Sequence, residues 1–330
     1  MIRLESRFGL FLPVALAPMA VAGGGALAAA CARAGALGLV GGGYGELDWL
    51  RVQWSLAVAA AADAGSRLGC GFINWRLDRD DSALAWLLDQ PLRPAAVMLS
   101  FGDPGRHAAR LRAAGVPVIA QVQRLAEVMP AVDAGADVIV VQGQEAGGHG
   151  AAAPHGRGTL ALVPEAADLL ASRAPHVLLL AAGGVADGRG LAAVQALGAD
   201  GALIGTRLWA SREALVPSAA HVAALAASGD DTARSAVFDI LRRKDWPPAF
   251  DFRALDNELH RHWLPHMAEL AADPAAARAD YEAGVAAADP ARMHVTVGEA
   301  VGLVRDLPDA ATLLARITQE WRATRARMSF

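Results

Sequence analysis

The chain is poor in lysine, cysteine, aromatic residues and charge. Its 330 residues include one lysine, Lys244, and two cysteines, Cys31 and Cys70. Any Schiff-base or phosphate-loop lysine chemistry would have to use Lys244, whose charged neighbours indicate an exposed helix end instead. The distant cysteines exclude a metal cluster of local spacing and a dense disulfide scaffold. We expect both thiols to pack in the core.

Long apolar runs and strongly charged stretches are absent as well. Gly and Pro interrupt every apolar run before about 18 residues, so the sequence predicts no membrane span. The N-terminal segment contains Arg3, Glu5 and Arg7 and is then broken by Pro13 and Pro18, which is not typical of a signal peptide. The net charge is −4 without a basic stripe, so nucleic acid is not an expected partner. We expect a cytoplasmic protein.

Apolar residues are abundant and follow a repeating order. They make up 54% of the chain, enough for a large core. Short continuous apolar runs alternate with Ala/Leu/Arg-rich helical patterns, as expected for parallel strands that are buried on both faces. Eight such units predict a (β/α)₈ barrel, the TIM barrel. The predicted strands are 13–17, 36–40, 68–73, 95–100, 117–121, 137–141, 176–181 and 201–205.

The pattern changes after Ser211. The following residues look helical and irregular, with breaks at Trp246-Pro247-Pro248 and at Pro265. The sequence therefore predicts three parts: a barrel over residues 1–211, a helical insertion over 212–297 that caps the barrel mouth, and C-terminal helices over 298–330 that return to the barrel. We expect Trp246, Trp263 and Trp321 to be core residues.

Functional groups of an α/β barrel follow the carboxyl ends of its strands. In this chain those positions carry amides, glycines, a threonine and one histidine. They lack the carboxylate pair of a glycosidase and the His or acid clusters of a metal site. Amide side chains such as Asn74, Gln121 and Gln142 can read the polar edge of a flat ring, because each offers a donor beside an acceptor.

Two glycine-containing loops predict a phosphate site. Gly183-Gly184 follows the seventh strand and Gly205-Thr206 the eighth, where barrels frequently bind phosphate. Backbone N–H groups and a hydroxyl suffice for such binding. The alternative is that these glycines only make tight turns. A competing dinucleotide pattern, Gly23 to Ala28, does not open directly from the first strand and leaves both loops unexplained.

The stretch from Gln142 to Gly150 combines glycines with a histidine directly after the sixth strand. His149 is a candidate general base, a hydrogen-bond donor to a cofactor, or a structural histidine, and its place at the predicted mouth favours a function. Glu145 is expected to order the loop. His155 and Arg157, further along, are candidates for ordering the loop or for meeting an anionic substrate.

Several of these segments together resemble the nitronate monooxygenase family, formerly called 2-nitropropane dioxygenases. They are Ala17-Pro18-Met19, Gln142 to His149, Ala181 to Gly190 and Gly198 to Thr206. The resemblance implies an FMN-dependent barrel in which His149 is the catalytic residue. It implies that FMN contacts the following residues: Ala17, Pro18, Met19, Asn74, Gln121, Gln142, Gly147, Gly148, Ala182, Gly183, Gly184, Gly205 and Thr206.

The reaction implied is oxidation of alkyl nitronates by O₂ to a carbonyl compound and nitrite, with His149 first removing the α-proton of a neutral nitroalkane. The histidine motif also resembles flavin-dependent enoyl-[acyl-carrier-protein] and NAD(P)H:quinone reductases. A non-catalytic flavin-binding protein is a third hypothesis. Gly150-Ala151 stands where many nitronate enzymes have Arg-Gly after the histidine, and Arg157 is a candidate replacement. The expected partners are a small molecule and O₂; a homodimer stays open.

Overall fold

A computed structural model describes residues 3–328 as two sheets surrounded by helices. Eight strands form a parallel sheet and three form a small antiparallel sheet. The strands are β1 (Val14–Leu16), β2 (Gly38–Gly43), β3 (Leu68–Ile73), β4 (Val97–Ser100), β5 (Val118–Val122), β6 (Val138–Gln142), β7 (Gly148–Ala151), β8 (Leu178–Ala182), β9 (Gly201–Ile204), β10 (Thr232–Ser235) and β11 (Phe250–Leu255).

Helices follow most of the strands of the parallel sheet and continue after β9. They are α1 (Leu4–Phe8), α2 (Gly25–Arg33), α3 (Leu47–Ala61), α4 (Asn74–Leu77), α5 (Ser82–Leu88), α6 (Gly105–Ala113), α7 (Val128–Asp133), α8 (Thr159–Arg173), α9 (Gly188–Ala196), α10 (Thr206–Trp209), α11 (Ser218–Ala226), α12 (Val237–Leu241), α13 (Glu258–Trp263), α14 (Met267–Ala272), α15 (Ala275–Ala286) and α16 (Ala310–Met328). Short 3₁₀ segments lie at Ala62–Arg67, Leu125–Glu127, Gly229–Asp231, Leu264–His266 and Glu299–Leu303.

The parallel sheet closes into a barrel, which confirms the predicted fold. Its strand order is β1-β9-β8-β6-β5-β4-β3-β2. The two ends of that series meet, because Leu16 N–H donates to the Leu37 carbonyl at 2.8 Å and Leu37 N–H donates to the Val14 carbonyl at 3.0 Å. Closure leaves no free strand edge, and it brings the carboxyl ends of all eight strands to one face.

The barrel interior is filled by apolar side chains and is blocked at the amino end of the strands. Leu39, Ile119 and Leu180 are fully buried within it. Leu4 and Phe8 of α1 belong to the same cluster and therefore close that end. The opposite end of the barrel, at the carboxyl ends of the strands, opens into a cavity. Cys31 and Cys70 are buried and free, as expected from their place in the core.

The segment after β9 is not wholly helical, contrary to the sequence-based expectation. It contains β10 and β11, and these pair with β7 in the order β10-β11-β7. Residues 250–255 are buried from Phe252 onward, and Phe252 and Ala254 belong to a second apolar core. Phe238, Leu259 and Tyr281 complete that second core.

The strand β7 was missed because its sequence, Gly-His-Gly-Ala, has low intrinsic strand propensity. Its pairing with β11 places His149 opposite Phe252 and supplies the strand conformation from tertiary structure. A region that looks like a glycine-rich loop in the sequence is therefore a fixed strand.

The C-terminal helix α16 packs against α9 and α2 of the barrel. Trp321 Nε1 donates to Gln195 Oε1 at 2.8 Å, and Gly188 N–H donates to Glu320 Oε2 at 3.0 Å. Within residues 3–328, no helix is long and apolar enough to cross a membrane. The same residues contain no group of three or more His, Cys, Asp or Glu side chains placed to hold a metal.

Candidate active site

A cavity of about 600 Å³ lies at the carboxyl ends of the barrel strands. The segment after β9 contributes to its wall through residues such as Arg242, Trp246 and Phe252. All of the residues expected to contact FMN line this cavity except Asn74, and His149 lines it too. The lining members of that set are Ala17, Pro18, Met19, Gln121, Gln142, Gly147, Gly148, Ala182, Gly183, Gly184, Gly205 and Thr206.

Asn74 lies outside the cavity wall. It is the first residue of α4 and is 1% exposed. Its Nδ2 donates to the Gly102 carbonyl at 3.1 Å, while its Oδ1 has no partner among the described residues. The short helix that follows β3 turns this amide toward the loop after β4. The end of this strand was predicted correctly. The position of Asn74 in the sequence does not reveal the helical turn that begins there.

The two glycine loops present open backbone to the cavity. Gly183 and Gly184 have φ values of +101° and +76°, which favour glycine. A Cβ on Gly205 would meet nothing closer than the Ala17 Cβ at 3.6 Å, so protein packing does not require glycine there. In the described chain, the N–H groups of Gly184 and Gly205 donate no hydrogen bond. Thr206 Oγ1 accepts from Gly298 N–H at 2.9 Å, which leaves its hydroxyl proton free to donate.

Close packing accounts for the glycines of the competing dinucleotide pattern. Gly25 starts α2, and a Cβ on it would collide with the backbone of Gln53 in α3. A Cβ on Gly24 would lie 2.6 Å from Gln53 Oε1. These glycines allow two helices to approach each other, and a phosphate role is not needed to explain them.

Glu145 orders the loop after β6, as expected. Its carboxylate accepts from Thr159 N–H at 2.9 Å and from the Thr159 hydroxyl at 2.9 Å. Thr159 is the first residue of α8, so the carboxylate satisfies a free N–H group at a helix N-terminus, where negative charge is favourable. This contact explains why α8 begins at Thr159 and not at Pro164, where the sequence pattern starts the helix.

A network of buried amides fixes the backbone of His149. Gln142 Oε1 accepts from Gln121 Nε2 at 3.2 Å and from Gln123 Nε2 at 3.0 Å. Gln142 Nε2 in turn donates to the His149 carbonyl at 2.9 Å. Gln142 therefore ties the end of β6 to β7, a role that its residue type alone did not indicate.

His149 forms a buried pair with Asp239, which the sequence analysis missed. Its Nε2 lies 2.9 Å from Asp239 Oδ1 and 3.1 Å from Oδ2. The two residues are 8% and 4% exposed. No described residue hydrogen bonds to Nδ1. A carboxylate can only accept, so it holds the imidazole proton on Nε2 and leaves the lone pair on Nδ1 for a ligand.

Aromatic rings surround this imidazole. Trp246 stacks on it with ring centroids 3.4 Å apart and an interplanar angle of 11°. The ring centroids of Phe252 and Phe101 lie 4.8 Å and 6.2 Å from that of the imidazole. Burial lowers the pKa of His149 below its usual range; hydrogen bonding to Asp239 opposes this effect, and the cation of Arg242 adds to it. The ring is therefore neutral at neutral pH.

The two other candidates on the histidine loop lie elsewhere. Arg157 pairs with Glu165 at 3.0 Å on the surface, and neither Arg157 nor His155 lines the cavity. Trp246, which we expected in the core, lines the cavity beside Arg242 and His294. No sequence motif marks Asp239 or His294, whereas the stretch from Leu241 to Trp246 also resembles the nitronate monooxygenase family.

Comparison with known proteins is consistent across sequence and structure. Residues 60–320 match the family model described as nitronate monooxygenase. The nitronate monooxygenase npaC of Metarhizium robertsii is 35% identical over 93% of this chain and 90% of its own length. Among solved structures, FabK from Thermotoga maritima superposes with a TM-score of 0.81 at 25% identity, covering 99% of both chains. Nitroalkane oxidase from Streptomyces ansochromogenes gives 0.79 at 27% identity, over 97% of this chain and 98% of its own.

Proposed function

This chain belongs to the nitronate monooxygenase family, and from that membership we propose that it uses FMN and O₂ to oxidise alkyl nitronates to a carbonyl compound and nitrite. We propose further that it accepts neutral nitroalkanes, with His149 as the general base. The observation that carries the proposal is the buried His149–Asp239 pair at the wall of a glycine-lined cavity. A proton acceptor and an open backbone cradle are the two features this chemistry requires of the protein.

The residues around the cavity fit FMN. Gly183, Gly184, Gly205 and Thr206 would hold the phosphate through backbone N–H groups and the hydroxyl, which have unused donors in the described chain. Pro18 and Met19 would support the ring system; a Cβ on Gly71 would collide with Pro18, so that proline lies directly on β3. When bound, FMN supplies the electron transfer and the oxygen chemistry that the side chains of the protein lack.

His149 would remove the α-proton of a nitroalkane at Nδ1. Asp239 keeps the proton on Nε2 and stabilises the imidazolium that forms, so the carboxylate is a positioning residue for the base. Burial keeps the imidazole neutral and therefore able to accept a proton at neutral pH. A nitronate has already lost that proton, so its oxidation would not need the base.

Anaerobic mixing of the purified holoenzyme with substrates tests the proposal. Propyl-2-nitronate should reduce a flavin visible in the absorbance spectrum, whereas NADH and NADPH should leave it oxidised. Rapid bleaching by either nucleotide would assign the protein to the reductases instead. A flavin that responds to neither would indicate a non-catalytic flavoprotein, and no flavin after reconstitution with FMN would refute the phosphate site.

A further inference from the structure

Two imidazoles and one guanidinium meet around the ring of Phe252 in the cavity wall. The His149 ring lies 4.8 Å from it, the Arg242 guanidinium 5.0 Å above it, and the His294 ring 6.0 Å away. All four residues line the same cavity. A positive charge and a second imidazole therefore lie next to the proposed base.

Arg242 has donor capacity that the described residues do not use. Its Nη1 is buried without a hydrogen-bond partner. Asp239, one turn earlier in the chain, is paired with His149 and forms no ion pair with this guanidinium. A buried N–H without an acceptor costs free energy, and Arg242 lines the cavity, so its guanidinium suits a ligand that accepts hydrogen bonds.

His294 offers a second donor. Its Nδ1 lies 2.7 Å from the hydroxyl of Tyr281. Burial raises the pKa of Tyr281 to about 12, so the phenol keeps its proton, and burial lowers the pKa of His294 to about 3, so the imidazole is neutral. The phenol has no other acceptor in the described chain and donates to Nδ1. The imidazole proton is then on Nε2, which has no protein acceptor there.

We propose that Arg242 and His294 form the receptor for the two oxygens of the substrate's nitro or nitronate group. This inference rests on the proposed function and names the residues that recognise the charged end of the substrate. A nitronate carries one negative charge over two oxygens, which suits a guanidinium with a neutral donor beside it. Gly150-Ala151, directly after His149, provides no cation, and Arg157 lies on the surface. Arg242 is therefore the cation that would contact the anionic substrate in this chain.

The receptor should act differently on the two substrate classes. A nitronate is anionic from the start, so Arg242 contributes to its binding. A nitroalkane becomes anionic only as His149 removes the proton, so Arg242 contributes mainly to the proton-transfer step. In Arg242→Gln we expect KM for propyl-2-nitronate to rise about 10- to 100-fold, and kcat for 2-nitropropane to fall by a similar factor.

Arg243→Gln is the matched control. It removes the same charge at the next position, from a side chain that is 67% exposed and faces Glu282. It should leave KM for propyl-2-nitronate and kcat for 2-nitropropane unchanged. Arg242→Lys, which keeps the charge and loses the planar fork, should lie between wild type and Arg242→Gln. His294→Phe should give a smaller loss, because it removes a neutral donor.

Calorimetric titration with nitrate measures the receptor without turnover. Nitrate is a planar monoanion that the enzyme cannot oxidise. Its affinity should fall at least about tenfold in Arg242→Gln and stay at the wild-type value in Arg243→Gln. Equal affinity in wild type and Arg242→Gln would overturn the proposal, as would equal effects of the two arginine variants on nitronate KM. Nitrate binding through Arg242 in a protein that does not oxidise nitronate would refute the proposed function and leave the receptor standing.

Discussion

Replacing Asp239 by Asn should separate proton removal from oxidation. The Asp239 carboxylate accepts from His149 Nε2 at 2.9 Å, whereas an amide can donate to that nitrogen. The imidazole proton would then move to Nδ1, and the lone pair that removes the α-proton would be lost. Because the imidazole is neutral in the resting protein, the substitution leaves no buried imidazolium without a partner, and we expect the variant to fold.

The size of the effect follows from the role of the base. General-base catalysis contributes about 10²- to 10⁴-fold, so kcat/KM for nitroethane should fall by at least about 100-fold, or about 2.7 kcal/mol. Ethylnitronate needs no proton removal, and its kcat/KM should stay within about threefold of wild type. Asp239 raises the pKa of His149, so the pKa of His149 should be still lower in the variant. The loss of kcat/KM for nitroethane is then not caused by protonation of His149, and high pH should not restore it.

The assay is steady-state oxygen consumption with both substrates between pH 5.5 and pH 9. Asp78→Asn is the control, because Asp78 forms a second His–Asp pair, at 2.9 Å with His107, away from the cavity. It should leave both substrates unaffected. Equal losses for nitroethane and ethylnitronate in Asp239→Asn would refute the positioning role, and an unchanged nitroethane rate would refute the identity of the base.

Three further outcomes follow from the same structure. His149→Ala should abolish nitroalkane oxidation and spare nitronate oxidation, as measured by oxygen consumption; loss of both would contradict its role as a base. Gly184→Ala should weaken FMN binding in a fluorescence titration, whereas Gly115→Ala, which has a similar φ of +71° and open space around it, should reduce only the free energy of unfolding by about 1 kcal/mol. The pKa of His294 is about 3 when folded and 6.5 when exposed, so the unfolded state binds the extra proton, and stability should fall as pH drops below 6.5. His294→Phe should flatten that part of a denaturation profile, and an unchanged slope would show that His294 is already protonated or exposed.

The sequence predicts the barrel well because burial on both faces imposes continuous apolar runs on its strands. The runs at 68–73 and 201–205 correspond to β3 and β9 almost residue for residue. The position of a strand end then fixes which residues reach the cavity, which is why Gly183 and Gly205 are found without any contact information. Asn74 is the exception, since it begins a helical turn immediately after the strand and its amide donates to the Gly102 carbonyl.

The remainder of the site depends on pairings between distant parts of the chain. Asp239 meets His149 across 90 positions, and nothing in the local sequence of either residue indicates the other. Trp246 has the sequence context of a core residue, and only the structure brings its ring to within 3.4 Å of the imidazole. Contacts of this kind have no periodicity, so residue spacing cannot predict them.

The second sheet, more than the barrel, sets the geometry of the proposed base. The Gln142 amide holds β7 from the barrel side, while β11 holds it from the other side by pairing Phe252 with His149. Asp239 and Trp246 flank this strand pair from the same inserted segment. The glycine loops that would bind FMN belong to the barrel alone. Phosphate binding by the two glycine loops and proton removal by His149 would thus rest on different parts of the chain. Substitutions in the inserted segment could therefore change the reaction or the substrate while the phosphate site stays intact, which is the separation that Asp239→Asn is designed to reveal.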